Sequence, residues 1–135
     1  MNTVERLLAL DMGAIKAPEK EVKLKLGKLG GQEFTFPCKA VNNEKIARIQ
    51  TEMLELNKKG ELKELNTGEM KLNTVIEGCP DVFKNQDLLK HYNVPSFKDL
   101  VNLILLPGEV DELYNIINEL NGYEKDEEEI EDIKN

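Results

Sequence analysis

The stretch "LVNLILLPGEVDELYNIINELNGY", residues 100–123, is the most apolar run of the chain, and Pro107-Gly108 cuts it in two. Its uncharged apolar part, "LVNLILL", lasts seven residues before Pro107, and Glu109, Asp111 and Glu112 follow at once. A membrane-spanning helix needs about 20 mainly apolar residues. The run is therefore no membrane anchor. It reads as two helices hinged at Leu106-Pro107, the first buried and the second amphipathic. Pro107 can stop the first and open the second, because the missing N–H of a proline is no loss at the first position of a helix. The three acids then fall in the turn where the helix dipole favours negative charge. Val110, Leu113, Tyr114, Ile117 and Leu120 recur at helical spacing, and Gly122 is a natural stop.

Upstream, "VPSFKDLVNLILL" opens with Ser96 as a helix cap and Asp99 three residues on, close to a capping box. "NQDLLKHYN" predicts a shorter helix, and another runs from about Gly68 to Glu77, ending at "GCP". Asn42 or Asn43 can cap a helix through about Asn57, with Ile46, Ile49, Met53 and Leu56 on one stripe and "KKG" at 58–60 to end it. Before that the period changes from helical to alternating. Val22, Leu24 and Leu26 alternate with Glu21, Lys23 and Lys25, and Phe34 and Phe36 alternate with Glu33 and Thr35. A loop with Gly27, Gly30 and Gly31 joins the two runs, which predicts a β-hairpin over about 20–37 with one buried face. The loop lacks the G-K-[ST] ending of a phosphate cradle, so its glycines serve turn geometry. "TVERLLAL", residues 3–10, is a short helix that Thr3 can cap, and "DMGAIKAPEK" is a loop.

The expected fold class is thus α+β, mostly α: a short N-terminal helix and a β-hairpin, then about five helices over 42–122. Residues 1–123 form a single domain on this reading. Residues 124–135, "EKDEEEIEDIKN", hold seven acids and two lysines, and predict a disordered, solvated acidic tail.

The chain has 135 residues, 40% apolar, 33% charged and only 5% aromatic, with no Trp. Such totals suit a helical fold with a solvated surface better than an aromatic-lined ligand pocket. The net charge is −8, and no basic run offers a face to displace counterions from phosphate, so nucleic acid is not an expected partner. Cys38 and Cys79 lie far apart and no signal peptide opens the chain, which fits two free thiols in a reducing cytosol. The lone histidine, His91, sits in "LLKHYNVP", and no zinc, EF-hand or nucleophile-elbow spacing occurs. No catalytic, cofactor-binding or metal-ligating set is expected, and neither is enzyme activity. The apolar run and the open hairpin edges point to a protein that meets other proteins, by self-association or through a partner helix.

The order of segments carries a resemblance. "PEKEVKLKLGKLGGQEFTFPCKAV" (18–41) leads into "NEKIARIQTEM" (43–53), then "LNTVIEGCPDVFKNQDLLKHYNVPSF" (72–97) and the opening stretch. This resembles the XkdN-like family of phage tail assembly chaperones, over about residues 4–123. A possible departure is "FPCKAV", where Pro37 and Cys38 interrupt the exit from the hairpin. The resemblance implies a small, mostly helical protein that oligomerises in the bacterial host cytoplasm. It implies that the protein coats the long tape measure protein while the tail tube polymerises, and is absent from the finished tail. A longer, frameshifted form is a further implied partner. The parent would be a phage, a prophage or a tail-like particle. The residues expected to meet the partner are Leu103, Leu105, Leu106, Pro107, Val110, Tyr114 and Ile117. The alternative is a small acidic phage-encoded regulator or inhibitor of a host protein.

Overall fold

The computed structural model describes residues 2–58 and 67–123, with side chains described throughout except at 53–58 and 67. Met53, Leu56, the "KKG" stop and the acidic tail therefore lie outside the described side chains or residues. The order of elements is α1 (Thr3–Leu8), β1 (Glu19–Leu26), β2 (Gln32–Lys39), α2 (Asn43–Lys58), α3 (Thr67–Gly78), α4 (Pro80–Phe83), α5 (Gln86–Tyr92), α6 (Phe97–Ile104) and α7 (Pro107–Leu120). The fold is α+β and mostly α, as expected. Among the described residues, six helical pieces follow the hairpin rather than about five. The extra one is the single turn α4, which Pro80 opens at its first position.

The hairpin is antiparallel, from Glu19↔Lys39 to Leu26↔Gln32. Its tip turns back through Gly30 (φ 66°) and Gly31 (φ 80°), where a side chain would be strained. The strands reach beyond the expected 20–37, and Pro37 and Cys38 do not interrupt β2. The bond from the Ala40 N–H to the Pro18 carbonyl (2.9 Å) makes 18/40 a bonded pair of the ladder. Alternation then makes 20/38 bonded and Glu21↔Pro37 a non-bonded pair. The N–H that Pro37 lacks points away from β1, so the ladder loses nothing.

Helix caps follow the sequence with one change at a start, and α6 ends earlier than expected, at Ile104 rather than at Pro107. Asn2, not Thr3, caps α1: its Oδ1 accepts from the Glu5 N–H at 2.8 Å and its Nδ2 donates to the Glu5 carboxylate at 3.2 Å. Asn42 caps α2 through the Lys45 N–H (2.9 Å), and Ser96 caps α6 through the Asp99 N–H (3.2 Å). Asn93 ends α5 in the left-handed conformation (φ 54°).

The hairpin lays Val22, Leu24, Leu26, Phe36 and Cys38 against the helices. α7 packs on α3 and on both strands, and α4 packs on β2. Phe83 of α4 stacks on Phe36 of β2, with ring centroids 5.9 Å apart and planes at 11°. Leu100 and Val101 of α6 and Leu113 and Ile117 of α7 complete the core. Thr74, a buried polar side chain, donates its hydroxyl to the Met70 carbonyl at 2.8 Å. Where α3 ends, Gly78 lets Ile117 come close: a Cβ there would lie 2.5–2.8 Å from three Ile117 side-chain carbons.

Outside the core, Glu77 of α3 accepts from Lys84 Nζ (2.5 Å) and pairs with Lys45 of α2 (3.2 Å). Burial alone would push the Glu77 carboxyl up, but the hydrogen bonds and charges of Lys84 and Lys45 outweigh it and hold it below its usual value.

Two predictions follow from this packing. Gly78→Ala, although alanine is the better helix former, is expected to destabilise the fold by about 1–3 kcal/mol through overpacking against Ile117, seen as a lower urea midpoint at unchanged slope. For Glu77, a folded-state value below the unfolded one means the contribution is present above the unfolded pKa and lost as pH falls through the folded one. Thermal denaturation of Glu77→Gln across the acid range is expected to show a shallower loss of stability than the parent; identical pH profiles would contradict the assignment.

Candidate functional site

The candidate surface forms where the hairpin tip meets the corner between α6 and α7. Its geometry follows from where α6 stops. The helix ends at Ile104, and Leu105 (φ −105°, ψ 144°) and Leu106 (φ −79°, ψ 158°) are extended. Side chains of successive extended residues point opposite ways. Leu105 therefore turns inward (3% exposed) and Leu106 outward (40% exposed). Leu103, in the last turn of α6, is 44% exposed.

The seven residues expected to meet a partner thus separate into three groups. Leu103, Leu106 and Pro107 are exposed, Val110 and Tyr114 are half-buried, and Leu105 and Ile117 lie in the core. Ile117 is fully enclosed because it faces Gly78 across the α3–α7 contact. Ile117 has no surface to offer in the single chain, and Leu105 offers little beyond its part in lining the adjoining cleft; both support the corner from beneath.

Two hydrogen bonds hold the hairpin tip to this corner. Glu109 accepts from the Gly27 N–H through Oε2 (3.0 Å) and from the Leu106 N–H through Oε1 (2.8 Å). One carboxylate thereby caps α7 and fastens the tip, the return arm of a capping box put to long-range use. Lys28 Nζ donates to the Asn102 carbonyl at 2.6 Å. These contacts bring Leu29, 46% exposed, to the same end of the molecule as Leu103 and Leu106. Leu29 was not among the residues expected from the sequence. Its one signal there is an isolated leucine in a Gly-rich loop, with nothing local to bury it.

An open cleft of about 570 Å³ adjoins the corner, lined by Leu72, Leu105, Pro107 and Val110 together with Lys28, Lys71 and Asp111. Lys71 pairs with Asp111 (2.9 Å) and lies 5.7 Å from the centroid of the Tyr114 ring. Its lining mixes apolar and charged side chains. Lys71 and Leu72 come from α3, far from the opening stretch in sequence, which is why its pattern alone did not reveal them.

The groups with chemical potential sit elsewhere. His91 is exposed in the last turn of α5, edge-on to Tyr92 at 4.7 Å between centroids. Cys38 and Cys79 are buried. A hydrogen bond with Cys38, and then burial, push the Cys79 thiol far up, so it stays protonated at neutral pH. Among the described residues no group of three or more His, Cys, Asp or Glu could hold a metal ion. Among them, too, no helix is long and apolar enough to cross a membrane.

An exposed apolar corner beside a cleft of mixed lining is the sort of surface through which proteins meet other proteins. The family model for phage XkdN-like tail assembly chaperone proteins matches residues 4–134, and the chain belongs to that family. The family is one of assembly chaperones, not a known class of enzymes. Among solved structures, the fold is similar to the crystal structure of the protein yqbn, with a TM-score of 0.55 at 19% identity, over 84% of this chain and 93% of that one. Among curated proteins, none matches.

The Glu109 clamp is testable. Glu109→Ala leaves two backbone N–H groups without their carboxylate and is expected to lower stability by about 1–3 kcal/mol, with faster amide hydrogen exchange at Gly27. Unchanged exchange at Gly27 would show that the tip is held by other means.

Proposed function

We propose that this chaperone binds the tape measure protein of a phage tail and keeps it soluble while the tail tube assembles, without becoming part of the finished tail. The observation that carries this reading is the exposed corner of Leu29, Leu103, Leu106 and Pro107 beside an open cleft lined in part by Leu72 and Val110. A long helical protein with an apolar stripe needs such a surface until the tube encloses it. The stripe lays its anchors against Leu103, Leu106 and Pro107, with Val110 and Tyr114 at the cleft and Leu105 and Ile117 supporting from below. The net charge of −8 repels like complexes and keeps them apart.

The rest of the reading concerns organisation. Residues 1–123 act as one domain, copies associate with one another and with a longer frameshifted form, and the acidic segment 124–135 is where the two forms part. The work is done in the bacterial host cytoplasm, for an infectious phage, a prophage or a tail-like particle.

Co-expression with the tape measure protein encoded beside the chaperone tests the central claim. The soluble fraction of the tape measure protein is expected to rise severalfold with the parent chain and to fall back with Leu103→Asp/Leu106→Asp. If the tape measure protein is as insoluble with the chaperone as without it, the proposal fails.

A further inference from the structure

Two thiols that no part of the proposed function uses meet inside the fold. Cys38 belongs to β2 and Cys79 stands between α3 and α4, and the two are 2% and 0% exposed. Their neighbours show how they come together. Cys38 faces inward with Phe36, two residues earlier on the same face of β2. Cys79 is the residue before α4, and one helical turn, closed by the bond from the Phe83 N–H to the Cys79 carbonyl (3.1 Å), joins it to Phe83. Phe83 in turn stacks on Phe36. The stack thus holds the start of α4 against the inward side of β2, and the two thiols are hydrogen-bonded to one another. Two cysteine side chains in contact need only a small movement to be bridged. Each has no other cysteine in the chain to pair with, and burial keeps both from thiols on other molecules.

We infer that Cys38 and Cys79 are a redox-sensitive pair, which an oxidant of the disulfide class converts into an internal staple between β2 and the α3–α4 junction. The thiolate of one cysteine attacks a sulfur of a small disulfide, RSSR. The S–S bond breaks, one RS⁻ leaves and takes up a proton, and a mixed disulfide remains. The second cysteine gives up its proton, attacks the protein sulfur of the mixed disulfide and displaces the other RS⁻, which is protonated in turn. Two protein thiols and RSSR thereby give one protein disulfide and two RSH. The protein loses two hydrogens and the small disulfide is reduced.

Burial governs when this happens. Neither sulfur meets solvent, so exchange waits on local opening of the short turn α4 and the end of β2. A reducing compartment leaves the pair as thiols. Once formed, the staple closes a loop of about 40 residues and opposes that opening. Cys38 pairs with Lys20 near the base of the hairpin, whereas Leu29 lies beyond Leu26 at the tip. Oxidation therefore fastens the base of the hairpin and leaves the corner of Leu29, Leu103 and Leu106 as it is.

The full chain tests this, first reduced, then held at neutral pH with excess oxidised glutathione in urea below the unfolding midpoint, where the fold persists and local opening is frequent. The intact mass is expected to fall by two hydrogens with no glutathione retained, and peptide mapping without reductant to link the peptides of Cys38 and Cys79. After removal of urea the product is expected to melt about 10 °C above the reduced chain, and to return to the original melting temperature with dithiothreitol. Cys38→Ala and Cys79→Ala are each expected to show no such rise; should either fail to fold, the mass and map of the parent decide. A parent that keeps two alkylatable thiols, retains glutathione on both, or links one copy to another overturns the pairing. A parent linked between Cys38 and Cys79 that melts no higher than the reduced chain overturns the staple.

Discussion

The position of α7 along the hairpin is the constraint on which the rest of the structure depends, and two side chains set it. At its start Glu109 accepts from the Gly27 N–H at the tip, and at its end Asn121 accepts from the Val41 N–H at the exit, at 2.7 Å. A 14-residue helix is about 21 Å long and an eight-residue strand about 27 Å, so the helix runs along most of the strand's length. Fastened at both ends, α7 can neither slide nor roll, and the stripe Leu113–Ile117 must face inward. Gly78 then decides how near α3 may come, since any side chain there would meet Ile117. The corner inherits its geometry from the same clamp: the carboxylate that holds the tip also holds the Leu106 N–H, which keeps Leu105 in and Leu106 out.

Much of this was legible in the sequence, for a physical reason. Alternation in "EVKLKL" and helical spacing in "VDELYNII" are local periodicities, and burial of one face turns each directly into an element. Caps at Asn42 and Ser96 and the proline at the start of α7 are likewise local chemistry. What was not legible depends on distant residues. "LVNLILL" looks apolar on every face, but it is a helix only to Ile104, and its last two leucines alternate as an extended pair. That break is fixed by Glu109 and by the hairpin tip, 82 residues earlier in the chain, at Gly27. Leu29 and Lys71 reach the candidate site through the fold alone. Phe34 alternates correctly but stays 36% exposed, although Leu24 opposite it is buried. Pro37 looked like the end of a strand, yet ladder parity, which no single strand reveals, makes it harmless there.

The distribution of chemistry within the molecule is as telling as its shape. The thiols, which carry the reactive potential of the chain, are sealed in the core, where Cys79 is held protonated. The histidine is a solvated helix end. The ion pairs Lys45–Glu77–Lys84, Lys71–Asp111 and Lys98–Glu69 join helices to one another at the surface. Exposed pairs of this kind contribute little each, typically under about 1 kcal/mol, so they serve orientation more than stability. What the surface does offer is leucine, at the corner and at Leu7, Leu8 and Leu10 ahead of the hairpin.

On the proposed reading, the small size of that offer matters. A few leucines, each under half exposed, bind a helix weakly, and a weak contact releases its partner when a better enclosure arrives. A long partner with a continuing apolar stripe meets many copies at once. Linked sites raise one another's effective concentration, so occupancy along the stripe can far exceed the affinity of any single corner. Tight binding at one site would defeat such a device, since the tail tube must strip the coat as it grows. A shallow apolar corner on a rigid, clamped scaffold satisfies both demands: it is weak enough to yield, and held firmly enough to add its share when many act together.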